Sequence, residues 1–113
     1  QTCALPCCKG VPMGGDLSRA PQCHSLQLMI HAARDAMSAN LDRVQVIKGW
    51  LDASGLTHEK IFDVAWSGDR RPGADGSLVA VGNTVDVSTA TWDNSIGAPQ
   101  LATVWTDPEL HPE

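Results

Sequence analysis

Tyrosine is absent from these 113 residues and phenylalanine occurs once, so the large side chains available for a core are four tryptophans and the aliphatics. Basic residues are also few: eight Lys and Arg stand against thirteen Asp and Glu, a formal net charge of −5. A surface of that sign repels phosphate backbones and anionic lipid, which argues against nucleic-acid binding. No apolar run approaches the roughly 20 residues that span a bilayer, and no signal peptide is visible, so membrane insertion is not expected. The length suits one domain with a modest core and is short for an enzyme that builds its own deep cleft. Catalytic groupings are missing as well. His24, His31, His58 and His111 are scattered, without a His-x-His pair, and no Ser/His/Asp or Cys/His arrangement is signalled. No catalytic residue, cofactor-binding residue or metal ligand is therefore assigned, and the chain by itself is not expected to be an enzyme.

Cysteine usage is concentrated. Cys3, Cys7, Cys8 and Cys23 all fall in the first quarter, which is otherwise rich in Pro and Gly and needs covalent staples to be ordered. Three pairings are open, and closing the strained ring between the neighbours Cys7 and Cys8 is the least favoured. The expectation is that Cys23 pairs with one of the other three. A structural zinc site with His24 is the competing chemistry, but the usual Cys-x-x-Cys knuckles are absent. Redox use of the vicinal thiols would need a lowered thiolate pKa, for which Lys9 alone is thin support. Disulfides would place the protein outside the cell or on its surface. The chain begins with glutamine instead of methionine, as a processed secreted protein or a fragment would.

Residues 1–22 read as an extended arm, with Pro6, Pro12 and Pro21 denying regular ladders and Gly14 and Gly15 marking a bend; residues 23–113 read as a β-sandwich domain. Residues 43–51 and 57–66 are β-prone runs joined by Asp52, Ala53, Ser54 and Gly55, a turn composition that predicts an antiparallel hairpin. Strict alternation would put Phe62, Val64 and Trp66 on one face. In the first strand Ile47 and Lys48 break parity, which a bulge or a strand covered on both faces would explain. Residues 67–82 form a long loop, and 84–92 and 101–106 read as further strands about a turn at Asn94, Gly97 and Pro99. Five or so short strands predict an all-β, antiparallel sandwich of immunoglobulin-like or jelly-roll-like type.

The segments VPMGGDL, NLDRVQVIKGWLDASGLTHEKIFDVAWS and FDVAWSGDRRPGADGSLVAVGNTVDVSTATWDNSIGAPQLATVWTDP carry a resemblance as well. From about Lys9 onward the chain resembles the C-terminal region of a large bacterial family known only as a domain of unknown function, related to the PHP-type (polymerase and histidinol phosphatase) metal-dependent phosphoesterases. The resemblance implies a β-rich accessory domain that follows the catalytic domain, with the metal ligands in a part this chain does not contain. It also implies a strand at residues 25–33. There the residues alone are ambiguous, because Leu26, Leu28 and Ile30 alternate while Leu26, Ile30, Ala33 and Met37 keep helical spacing. A helical turn is allowed before Asn40.

Several side chains invite a ligand. Asp69, Asp75 and Asp86, on and just after the glycine-bent loop, could hold calcium, though not at EF-hand spacing. Trp50, Trp66, Trp92 and Trp105 are expected mainly as core. Trp92, opposite in parity to Val85 and Val87, is the candidate ligand platform, where glycans would stack. His58 beside Glu59 reads as a solvated pair, and His31 lies on the polar face of its strand.

The leading functional expectation is a non-catalytic extracellular domain that associates with copies of itself. In the longer relatives the segment like QLATVWTDPELHPE runs on into another apolar strand. A sandwich without that strand would recruit the arm of a second copy, with Leu5 and Val11 filling the groove. Such a head-to-tail contact propagates, giving a filament joined by strand exchange. The alternative is a truncated accessory domain of a PHP-like phosphoesterase. A third reading is a glycan-binding module using Trp92.

Overall fold

Four strands form where β-branched and aromatic residues cluster between turn signals: β1 (Gln27–Ala33), β2 (Arg43–Leu51), β3 (Thr57–Trp66) and β4 (Gln100–Thr106). The computed structural model describes residues 10–17 and 25–109. β1 pairs with β4 and β2 with β3, giving two sheets of two strands each. Both are antiparallel. At one end of β1 the Arg34 N–H donates to the Pro99 carbonyl (2.9 Å), and at the other the Asp107 N–H donates to that of Leu26 (2.9 Å). The chain is thus all-β, and among the described residues no helix is long and apolar enough to cross a membrane. The sheets do not close into a sandwich.

By internal packing the chain divides into two units, Gln1–Leu28 with Val104–Glu113, and Met29–Thr103. The division falls within β1 and β4. In the larger unit Leu78 is the one buried apolar residue among those described, at 6 % exposure, and Ser67 is buried as well. In the smaller unit Asp107 is buried.

β1 shows the alternation of a half-buried strand: Leu28 and Ile30 are shielded while Gln27, Met29 and His31 face outward. It starts two residues later than the pattern suggested, and the segment before Asn40 is a reverse turn closed by Ser38 N–H to the Asp35 carbonyl, not helix. The β2–β3 hairpin has the boundaries read from composition. Its turn is closed by Gly55 N–H to Asp52 C=O (2.9 Å) and Asp52 N–H to Leu56 C=O (3.0 Å), with Gly55 at φ 82°. Only a residue without a Cβ takes that conformation cheaply.

One expectation about the hairpin is corrected. Val44 pairs with Ala65 but Gln45 pairs with Asp63, so β3 carries Val64 as an extra, bulged residue. The bulge sits here, not at Ile47 and Lys48. It resets the alternation, so Phe62 shares the face of Val46 whereas Trp66 shares that of Arg43. Phe62, Val64 and Trp66 do not form a common face.

Residues 84–92 are not a strand either. Asp86 and Thr91 exchange backbone hydrogen bonds of 2.8 and 3.2 Å as an isolated bridge. Between them the Asp86 carboxylate accepts from Ser88 N–H (2.9 Å) and Ala90 takes a left-handed φ of 53°. The side chain offers the backbone a turn in place of a ladder, and the turn wins. Val85 and Val87 are left exposed.

Candidate functional site

The base of the hairpin holds the long loop through charge. Asp42 precedes β2, and its carboxylate is shared: Arg70 binds Oδ1, while Arg43 binds Oδ2 through Nε (3.1 Å) and a terminal nitrogen (3.0 Å). The same guanidinium of Arg70 donates to the carbonyls of Asp42 (2.8 Å), Ser67 (3.0 Å) and Val79 (2.7 Å). Arg43 reaches the Leu78 carbonyl at 2.7 Å and lies 3.7 Å from Asp63, whose other oxygen accepts from Gln45. Trp66 Nε1–H donates to the Arg70 carbonyl at 2.8 Å. Burial pushes the Asp42 carboxyl up, and the Arg43 and Arg70 bonds and charges outweigh it, holding the group below the usual carboxylate range. The planar fork of arginine makes this possible, since one residue satisfies several carbonyls and a carboxylate at once.

Beside this anchor lies a cleft of about 170 Å³ whose lining includes Asp42, Gly82, Asn83, Trp92, Asp93 and Asn94. Trp92 is 45 % exposed, though not through strand parity, since residues 84–92 form no strand and Val85 and Val87 are more exposed still. The walls are held by local bonds. Asn40 N–H donates to Asn94 Oδ1 (2.9 Å), Asn40 Nδ2 donates to the Ile96 carbonyl (3.0 Å), and Thr84 Oγ1 donates to the Asp93 carbonyl (2.7 Å). Gly97, at φ 78°, lets the chain pass so close that a Cβ there would stand 2.8 Å from Asn40 Cβ and from the Leu41 carbonyl.

A second exposed indole is at the hairpin's far end. Trp50 stacks on His58 with ring centroids 5.4 Å apart and 19° between planes, and Lys48 Nζ lies 5.7 Å from the Trp50 ring. His58 Nε2 is 2.8 Å from Asp52 Oδ2, so its partners are Asp52 and Trp50, not Glu59. Asp52 also accepts from Ser54 Oγ and from the Leu56 N–H, and these bonds, led by that of His58, hold its carboxyl far below the usual range. The core role expected of the tryptophans is thus not general: Trp50 is 40 % exposed, while Trp66 and Trp105 are half-buried.

The Asp52 pattern recurs. Asp75 with Ser77, Asp86 with Ser88 and Asp93 with Ser95 each form an Asp-x-Ser turn, in which the carboxylate accepts from both the serine hydroxyl and its N–H. The serine hydroxyl bond is the leading cause that lowers each of these carboxyls. The motif was in the sequence as Asp-x-Ser triplets beginning at Asp52, Asp75, Asp86 and Asp93. Their meaning for the calcium question is direct: the carboxylates of Asp75 and Asp86 serve their own turns, and among the described residues Asp69, Asp75 and Asp86 are not gathered with other acidic, His or Cys side chains as a set of three ligands.

His31 meets Gln100 across the sheet at 3.0 Å, on the exposed face expected for it. Val11 is 46 % exposed. Cys3, Cys7, Cys8 and Cys23, together with Leu5, lie outside the described residues. The Arg43 and Arg70 anchor had no signal in spacing, because its parts are 27 residues apart and meet only through the fold.

No curated protein and no solved structure matches the chain. A family model does, over residues 2–113, and its description is "Protein of unknown function (DUF3604)". With a match that runs nearly end to end, the chain belongs to the DUF3604 family.

Proposed function

We propose that this chain is a non-catalytic association domain, the C-terminal accessory part of a PHP-like metal-dependent phosphoesterase, which packs its exposed hairpin face against the catalytic domain. The observation that carries the reading is the pair Ile47 and Ile61. They are directly opposite each other in the ladder and 64 % and 53 % exposed. Leu51, on the same face, and Leu56, in the adjoining turn, are 68 % and 64 % exposed. Isolated exposed aliphatics are ordinary, but a cluster on one sheet face marks a contact surface. The resemblance of residues 11–17 and 40–67 to the C-terminal region of that lineage supports the choice of partner. In this reading the metal chemistry belongs to the partner domain.

The test is to supply the catalytic domain of a longer family member in trans and measure binding to this chain by calorimetry. Saturable binding that is lost in Ile47→Lys with Ile61→Lys supports the proposal. Absence of binding at concentrations well above roughly 100 μM, or binding indifferent to both substitutions, rejects it.

A second reading is self-association, and the two-stranded sheets favour it. Each strand keeps one backbone edge outside its own ladder, and such edges pair with strands from other chains. An arm containing Leu5 and Val11 would be the exchanged strand, disulfides among the four cysteines would stiffen it, and the setting would be extracellular. Sedimentation over a wide concentration range, with and without residues 1–11, separates the two readings. Assembly that needs the arm favours exchange, and a monomer throughout removes it.

A further inference from the structure

The Trp92 cleft carries chemistry that association does not use. Three of its polar side chains are half-spent on holding the backbone around it. Asn83 Oδ1 accepts from the Val85 N–H, Asn94 Oδ1 accepts from the Asn40 N–H, and Asp93 Oδ1 accepts from Ser95. The remaining atoms, Asn83 Nδ2, Asn94 Nδ2 and Asp93 Oδ2, have no partner among the described residues. That leaves two amide donors and one carboxylate acceptor on residues that line the cleft, together with a 45 % exposed indole. Gly82, at φ 118°, puts no side chain into this space, and a Cβ there would come within 3.5 Å of Ile96 Cδ1.

We propose that this cleft binds one ring of a neutral carbohydrate. An indole offers an apolar plane to the C–H face of a pyranose, while an amide donor beside a carboxylate acceptor matches vicinal hydroxyls, each of which both gives and takes a hydrogen bond. The volume, about 170 Å³, is that of roughly five or six waters, enough for a single ring and too small for a chain to lie inside. A sugar therefore enters as a free monosaccharide or as the end of a glycan. The Asp93 carboxylate in the lining and the chain's net charge of −5 select against uronic acids and sulfated sugars. The side chains of Asn83, Asp93 and Asn94 are positioned before any ligand arrives, since each is already held by a bond to backbone or a neighbouring residue. Little ordering cost then falls on binding.

The experiment is saturation-transfer NMR on the whole chain with a panel of neutral monosaccharides, the same sugars at the non-reducing end of short oligosaccharides, and glucuronic acid. Transfer is expected from at least one neutral sugar with a Kd on the order of 1 mM, and weaker transfer from the acid. Equal response from free and terminal sugars means the ring alone is read; response from oligosaccharides only means the neighbouring unit also touches the rim. Trp92→Ala should weaken binding about tenfold or more and Trp92→Phe should recover part of it, while Trp50→Ala, which removes the other exposed indole, leaves it intact. No transfer from any neutral sugar at roughly 20 mM overturns the proposal. So does transfer that survives Trp92→Ala in a protein whose hairpin signals are unchanged, or that depends on Trp50.

Discussion

Arg70 grips Asp42 twice, through the carboxylate and through the main-chain carbonyl, and so ties the loop after β3 to the residue before β2. Both side chains are partly shielded, Arg70 at 17 % and Asp42 at 34 % exposure. Lysine keeps the charge but cannot serve a carboxylate and three carbonyls from one plane. Arg70→Lys is expected to destabilise the larger unit by about 2 kcal/mol, read as a shift in urea midpoint with unchanged slope. An unchanged midpoint would mean that water replaces the guanidinium without loss.

Acid should loosen the fold at its turns. Asp42, Asp52, Asp75, Asp86 and Asp93 all have folded-state pKa values below their ordinary one near 3.8. Lowered carboxyls contribute stability that is complete above the unfolded pKa and is lost as pH falls through the folded one. The melting temperature is therefore expected to be level with respect to these groups above about pH 5 and to fall steadily below about pH 4. Asp52→Asn, which removes the carboxyl of the His58 contact, should flatten that acid limb. An acid limb as steep as the parent's would assign the pH dependence to other groups.

Two glycines at similar φ separate strain from crowding. At Gly55 nothing lies within 4 Å of an added Cβ, so Gly55→Ala should cost only the left-handed conformation, about 1–2 kcal/mol. At Gly97 the Cβ would also strike Asn40 and the Leu41 carbonyl, where the Leu41–Ala98 bridge is made. Gly97→Ala is expected to cost roughly 2–5 kcal/mol. Equal losses in matched denaturation curves would show that the chain around Leu41 yields.

The two faces of β2 should respond differently to charge. Val46 is half-buried and pairs with Phe62, whereas Ile47 is exposed opposite Ile61. Val46→Lys is expected to lower stability by about 2 kcal/mol, and Ile47→Lys to leave it within roughly 0.5 kcal/mol. Hydrogen exchange of the β2 and β3 amides measures both. Loss of protection in Ile47→Lys would move the interior to the other face.

The hairpin was legible in the sequence because its signals are local. β-Prone runs and a five-residue turn with Asp first and Gly in the left-handed place define β2 and β3 without help from the rest of the chain. The same logic failed at residues 84–92, where Val85, Val87 and Trp92 alternate as a strand would. There Asp86 and Ser88 compete for the backbone, and a side-chain bond spanning two residues outweighed alternation. Parity also misled around Val64, since one bulged residue reverses every inference beyond it. The exposure of Trp92 does not follow from strand parity, because the turn leaves Val85 and Val87 exposed too, and Trp50 stacks on His58 across the ladder, a contact that no local pattern announces.

By itself the sequence determined the all-β class, the hairpin and its turn, and the acidic surface, since each follows from composition or from residues within a few positions of one another. It also held the four Asp-x-Ser turns, whose hydrogen bonds span only two residues. Tertiary structure alone decided that Asp42, Arg43 and Arg70 share one charge network, and that Gly82, Asn83, Trp92 and Asn94 line one cleft. Which face of each strand stays open was decided there too. Those outcomes depend on register and on contacts between distant segments, and a single extra residue such as Val64 changes them while leaving the local pattern intact.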